Sequence, residues 1–264
     1  MSSSGLTEPT SQRAGAALVT GSGKRIGRAF ALALGGAGFP VVVHARTVDG
    51  DVRETVRLIE NAGGRATIAA ADLSNRIELG RLVERAAEPF GPLALLVNSA
   101  SLFHDDRVGS LRPDLWDAHF ATNLYAPIAL AEAFAAQATQ LANGADPSIV
   151  NILDQRVLKP NPQFFSYSLT KAALHSATVT LAQALAPRVR VNAIGPGPTL
   201  ASIHQSPGDF QTEAAATLLG RGSTVEDLVR ALLYLVDARA VTGQTIAVDG
   251  GQHLTWRTPD ILSP

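Results

Sequence analysis

Ala16-Ala-Leu-Val-Thr-Gly-Ser-Gly-Lys-Arg-Ile-Gly27, running on as Arg28-Ala-Phe-Ala-Leu-Ala-Leu-Gly-Gly-Ala37, is the stretch whose reading decides the fold. The apolar run from Ala16 to Thr20 predicts a strand, Gly21 to Gly27 a tight turn, and the Ala- and Leu-rich residues from Arg28 to Ala37 a helix. Strand, glycine-rich turn and helix in that order form the context in which spaced glycines bind a phosphate, because free amides at the helix start face the anion. Gly21 and Gly27 fit that spacing, while Arg25 stands where a third glycine is more usual. Read alone, the stretch also fits a tight strand-to-helix connection with no ligand.

The alternation continues along the chain. Further strands are predicted at Val41–Ala45, Ala66–Ala71, Leu93–Val97, Ile149–Leu153, Val189–Ile194 and Gln244–Val248, with helices at Val52–Asn61, Arg76–Glu88 and Pro113–Ala138. Ser223 and Glu226 have the spacing of a capping box for a helix through Val236. The loop Gly195-Pro-Gly-Pro-Thr199 continues neither a helix nor a central strand. The polar segment Ala201–Gln211 and a helix at Thr212–Leu219 read as a lid, placed around 199–219. Seven strand signals alternating with helices, without repeat or composition break, predict one Rossmann-like α/β domain over 15–264. Its doubly wound sheet has seven parallel strands and helices on both faces.

In such a sheet, chemistry gathers at the carboxyl ends of the strands. The second strand ends in Arg46; an acidic residue there binds the ribose 2′-hydroxyl of NAD, whereas an arginine pairs with the 2′-phosphate of NADP. Arg46 therefore argues for NADP. Asp72, after the third strand, either meets an adenine amino group or caps the following turn. Asn98-Ser-Ala-Ser101, after the fourth, suits a loop where a ligand approaches the backbone, and Asn123 interrupts an otherwise apolar helix.

The fifth strand ends at Asp154 and is followed, across a proline-containing loop, by a helix carrying Tyr167 and Lys171. Four residues apart, these two side chains share one helix face. A cation beside the phenol favours phenolate, so the tyrosine pKa is expected to fall from roughly 10 towards neutrality, making Tyr167 a proton donor.

Of the 264 residues, 46% are hydrophobic and 17% charged, enough to bury a sizeable core. Net charge is −1 with both signs interspersed, so neither a nucleic-acid footprint nor a membrane-surface patch is indicated. The absence of cysteine excludes disulfides and thiolate metal sites, and the six histidines show no metal-ligand spacing. No apolar run spans a bilayer and Met1–Ala14 reads as a flexible polar tail, so a soluble cytoplasmic protein is expected.

Together, Thr20-Gly21 with Gly27, Asp72-Leu73, Asn98 with Ala100, Asn123, the Tyr167 and Lys171 pair, Pro196-Gly197 and Asp249-Gly-Gly251 resemble the short-chain dehydrogenase/reductase family over nearly the whole chain. The resemblance implies that Lys171 binds the nicotinamide ribose and tunes Tyr167, and that Asn123 helps hold a water-linked proton relay. Asp154 stands where the family usually has a serine that donates to a substrate carbonyl. A carboxylate cannot donate unless protonated, but it accepts from an amino or ring N–H, which suits an N-heterocycle.

Within the family the chain is most similar to the pteridine reductases, through Asp154, the Thr20–Gly27 turn and Ser101-Leu-Phe103. That likeness implies NADP(H) contacts at Gly21, Lys24, Arg25, Ile26, Gly27, Arg46, Asp72, Leu73, Asn98, Ser101, Tyr167, Lys171, Pro196 and Gly197. It implies substrate contacts at Arg25, Ser101, Phe103, Asp154 and Tyr167, with the pterin sandwiched between Phe103 and the nicotinamide. Asp154, Tyr167, Lys171 and Asn123 would carry catalysis. The expected activity is NADPH-dependent reduction of a pterin, dihydropterin or folate-like substrate, in a homotetramer packed through the apolar face of the Tyr167 helix. The alternative is a carbonyl reductase acting on a ketone such as a 3-oxoacyl thioester. Ser99 replaces the second Asn of the family's Asn-Asn-Ala-Gly stretch, and 199–211 match no family pattern.

Overall fold

The computed structural model describes residues 13–202 and 204–256, so the first twelve residues of the expected tail lie outside it. Arg13 belongs to the body: its backbone N–H donates to Gly38 O at 3.1 Å and its guanidinium pairs with Asp237 at 2.7 Å.

β1 (Ala16–Val19) leads into α1 (Arg25–Gly36), β2 (Val41–Ala45), α2 (Gly50–Asn61) and β3 (Ala66–Ala70). Two short helices, α3 (Arg76–Gly80) and α4 (Leu82–Ala87), precede β4 (Leu93–Asn98). α5 (Pro113–Phe120) and α6 (Ala126–Ala138) are joined by a π-helical turn, Ala121–Tyr125. β5 (Ser148–Ile152), α7 (Phe165–Leu185), β6 (Arg190–Pro196), α8 (Pro207–Ala215), α9 (Val225–Asp237) and β7 (Thr245–Val248) complete the chain. All seven strands pair in parallel in the order β3-β2-β1-β4-β5-β6-β7.

A parallel sheet is covered on both faces, so its strands are apolar throughout rather than alternating. β1 and β4 are buried at every position, and successive residues feed opposite cores. Leu18, Leu96 and Ile149 pack with Leu82, Leu130 and Phe134 from α4 and α6. Val19, Val97 and Val150 pack with Phe30, Leu34, Leu228 and Leu232 from α1 and α9. Chain order reverses between β1 and β4, and the crevice at their carboxyl ends is where such sheets bind ligands.

Local chemistry moved several expected boundaries. The helix predicted over Arg76–Glu88 breaks after Gly80, the weakest helix former in it. The capping box of α9 is Thr224 with Asp227, one residue beyond the expected pair; Ser223 Oγ instead meets Thr199 Oγ1 at 2.6 Å. The lid helix runs over Pro207–Ala215, not 212–219, because Ser206 and Asp209 form a reciprocal cap with proline in the first turn, a good helix start rather than a loop signal.

His44, on β2, is 2% exposed and joins three segments: its Nδ1 accepts from the Gly21 N–H at 3.1 Å and its Nε2 lies 3.0 Å from Ala71 O. Accepting at Nδ1 and donating at Nε2 requires the neutral ring. Burial accordingly lowers its pKa from 6.5 to about 4. As pH falls below 6.5 the unfolded chain takes up this proton and the folded protein does not, so stability present above 6.5 is lost progressively down to about 4. The loss amounts to about 3 kcal/mol. Urea unfolding of wild type and His44→Gln at pH 7 and pH 4 measures it: the wild type is expected to lose about 3 kcal/mol more than the variant over that interval.

Candidate active site

The site is built on the seam between β1 and β4. Thr20 Oγ1 accepts from the Ser99 and Ala100 amides at 2.9 and 3.0 Å, drawing the loop after β4 onto the glycine turn. A Cβ at Gly21 would meet Ala100 Cα at 2.8 Å, and one at Gly27 would meet Gly21 O at 2.3 Å, so both positions exclude any side chain. Arg25 adopts φ +53°, the left-handed region that a glycine enters at no steric cost. Asn98 Nδ2 donates to Asn151 Oδ1 at 2.9 Å, and its own Oδ1 is buried without a partner among the described residues.

On the other side of the seam a cleft of about 910 Å³ opens at the ends of β4, β5 and β6. Asp154, Tyr167 and Lys171 line it together with Arg25, Ile26, Ser101, Phe103, Pro196 and Gly197. Tyr167 OH donates to Asp154 Oδ2 at 2.9 Å, and Lys171 Nζ donates to Ile152 O at 2.7 Å. The expected acidification of Tyr167 is corrected here. Burial first, then the Asp154 carboxylate, hold its pKa well above 10, because both oppose phenolate. Burial also brings Lys171 down to about 8. At neutral pH the site therefore holds an intact phenol hydrogen-bonded to a carboxylate, with a cation nearby; Lys171 Nζ lies 5.7 Å from the Tyr167 ring centroid.

Asn123 sits in the π-helical turn, a local widening often found at functional sites. Its side chain is fully buried and grips Leu102, accepting from the Leu102 N–H at 2.8 Å and donating to Leu102 O at 2.9 Å. This contact holds the loop of Ser101 and Phe103 over the cleft. The Phe103 ring stacks on Phe164 at 4.1 Å between centroids and 11° between planes, and meets Tyr167 edge-on at 4.7 Å. Phe164 takes φ +51° just before α7. The lid touches the cleft where Arg25 Nη2 donates to Ala201 O at 2.9 Å and where His204 Nε2 lies 3.1 Å from Phe103 O, among other contacts. Arg25 thus holds the start of the lid.

The remaining predicted residues lie apart from the cleft. Arg46 is exposed at the end of β2, and its charge is felt by Asp72. Asp72 caps its turn, accepting from Ser74 N and Ser74 Oγ at 2.9 and 2.6 Å, which lowers its pKa. Leu73 is a core residue, 6% exposed, and Lys24 is exposed at the start of α1.

Sequence reasoning passed over several residues that hold the site in shape. Asp106 Oδ1 accepts from the Ser166 amide at 2.9 Å at the start of α7, and His119, fully buried, meets Ser166 Oγ at 2.6 Å. α7 starts after Phe164, which has no side-chain oxygen to cap it, and that lack was the available signal that a distant group supplies a partner. Arg156 is the third; its Nη1 donates to Asp154 Oδ2 at 3.0 Å. Among the described residues no cluster of His, Asp or Glu could hold a metal ion, and no helix is long and apolar enough to cross a membrane.

A family model described as enoyl-(acyl carrier protein) reductase matches residues 21–253. The chain is similar to a solved structure of FolM alternative dihydrofolate reductase 1 from Brucella canis, complexed with NADP. The two are 48% identical with TM-score 0.88, covering 93% of this chain and 96% of that one. The corresponding Brucella suis structure, also in complex with NADP, is 47% identical with TM-score 0.88, covering 94% and 98%. L-xylulose reductase from Bos taurus is 34% identical over 242 residues, covering 89% of this chain and 95% of its own.

The grip of Asn123 on Leu102 sets an expectation for stability. Asn123→Ala leaves the Leu102 N–H and C=O without these partners and should cost about 1–3 kcal/mol in urea unfolding, with a larger relative loss of activity because the Phe103 loop is released.

Proposed function

This chain belongs to the short-chain dehydrogenase/reductase family, and from its site we propose that it is an NADPH-dependent reductase of pterins, adding hydride to a ring carbon of a C=N bond. The observation that carries this reading is Asp154. A serine in its place would donate to a ketone oxygen; a carboxylate bonded to Tyr167 OH and to Arg156 accepts instead, and so fits a substrate presenting N–H groups. Similarity to FolM alternative dihydrofolate reductase 1 supports the same substrate class.

The chain's own residues fit NADP. Gly21 and Gly27 let the turn after β1 pack against Ala100 and fold back on itself, the shape a pyrophosphate-binding turn needs, and the exposed Arg46 suits a 2′-phosphate. Asn98 Oδ1, buried and without a partner among the described residues, is an acceptor at the same seam that a cofactor hydroxyl or amide would satisfy. The cofactor supplies the hydride. Lys171, fixed by Ile152 O, gives the ribose pocket its cation below about pH 8. Tyr167, its hydroxyl placed by the bond to Asp154, would donate the proton that the ring nitrogen takes when its neighbouring carbon is reduced, with the Lys171 cation nearby to offset the phenolate left behind. Phe103 offers a flat face for the pterin, a contact worth about 0.5–1.5 kcal/mol beyond area burial.

Purified protein mixed with NADPH and 7,8-dihydrobiopterin, dihydromonapterin or dihydrofolate is expected to consume NADPH, followed by absorbance; no oxidation with any of the three rejects the reading. Asp154→Ser should lose about 10²- to 10⁴-fold in dihydropterin turnover. A gain in ketone turnover by this variant, with wild type active on a 3-oxoacyl thioester and not on pterins, would favour the carbonyl-reductase alternative. Arg46→Ala should reduce the preference for NADPH over NADH by about 10- to 100-fold, read from kcat/KM with each cofactor.

A further inference from the structure

Two residues beyond Asp154 an arginine in a surface loop would ordinarily reach into water. Arg156 instead folds back into the cleft, with 16% of its side chain exposed. Its backbone N–H donates to Asp154 Oδ1 at 2.9 Å, and its Nη1 donates to Oδ2 at 3.0 Å, the same oxygen that takes the Tyr167 hydroxyl at 2.9 Å. Both carboxylate oxygens are thereby held by one residue. The guanidinium carbon also lies 5.6 Å from the Phe103 ring centroid and 5.4 Å from that of Phe164, within cation–π range of the stacked pair. Its Nε is buried without a hydrogen-bond partner among the described residues, so this pose leaves a donor unmet. An arginine held in such a pose is fixed by its ion pair and its ring contacts. Its charge acts on Tyr167 against that of Asp154.

We propose that Arg156 is the positioning residue of the site: one guanidinium fixes the orientation of the Asp154 carboxylate and the placement of the Phe103 ring. It thereby ties the group that accepts substrate N–H to the group that takes the substrate's flat face. For the identity of the ring this rests on the pterin reading above; the coupling of Arg156 to Asp154 does not. The role needs a planar donor with a flat face for stacking, and lysine, a point charge on a flexible stem, lacks both.

A double-mutant cycle tests this. Wild type, Arg156→Gln, Asp154→Ser and the double variant are assayed on whichever of 7,8-dihydrobiopterin or a 3-oxoacyl thioester the wild type reduces, with NADPH dissociation constants from fluorescence and Tm alongside. Arg156→Gln is expected to lower kcat/KM by about 10- to 100-fold, mainly in kcat, the scale of an ångström-sized misplacement, with NADPH affinity unchanged. In the Asp154→Ser background the same substitution should cause little further loss. If Arg156→Gln fails to fold, Arg156→Lys decides, and is expected to stay well below wild type with NADPH still bound. Wild-type activity in the Gln or Lys variant, an equal loss with and without Asp154, or a parallel loss of NADPH affinity overturns the proposal. A wild type that reduces only the thioester overturns the pterin reading while the cycle still judges Arg156; one that reduces neither overturns both.

Discussion

No room remains for a side chain where β1 meets the loop after β4, and the site depends on that constraint. A Cβ on Gly21 would sit 2.8 Å from Ala100 Cα, and the Gly21 carbonyl itself crowds Gly27. Thr20 closes the same junction with bonds to the Ser99 and Ala100 amides, and His44 supports it from β2 by accepting the Gly21 N–H. Two covered faces of a parallel sheet force the strands to be apolar; the polar groups gather at the strand ends, where chain order reverses.

From this junction the chemistry is set by burial. The same removal from water pushes two neighbouring groups in opposite directions: Tyr167 is driven up and Lys171 down, because in each case the charged form is disfavoured. Asp154 adds to the rise of Tyr167 and opposes the fall of Lys171. The carboxylate is therefore the hub, touching the phenol directly and held by Arg156, which in turn faces Phe103 and Phe164. A serine at 154 would remove the charge that Arg156 pairs with.

Periodicity and turn chemistry made the sheet legible. Continuous apolar runs such as Leu93–Val97, bounded by Pro92 and Asn98, read as buried strands alternating with helices, for which a parallel sheet is the economical arrangement. Boundaries slipped where competing signals lay side by side: Pro207 and Gly208 read as loop, yet Ser206 and Asp209 cap a helix there. Asn123 was flagged as an oddity in an apolar helix, but the π-helical turn that aims it at Leu102 has no period of its own in the sequence. Phe103 and Asp154 were legible through family register. Arg156, Asp106 and His119 were not, because their partners lie across loops or elements that no local pattern connects.

By itself, then, the sequence determined the parallel sheet, the glycine turn, the anomaly at Arg25 and the pair of Tyr167 and Lys171, since each follows from residue type at a fixed local spacing, while Asp154 joined that pair through the family resemblance. What only the tertiary structure decided is the charge and contact state of those groups. Whether the phenol is acidified or kept intact, that Arg25 meets the lid carbonyls, and whether Arg156 faces water or the Phe103 ring depend on desolvation and on distant neighbours. Both come into being only when the chain is folded.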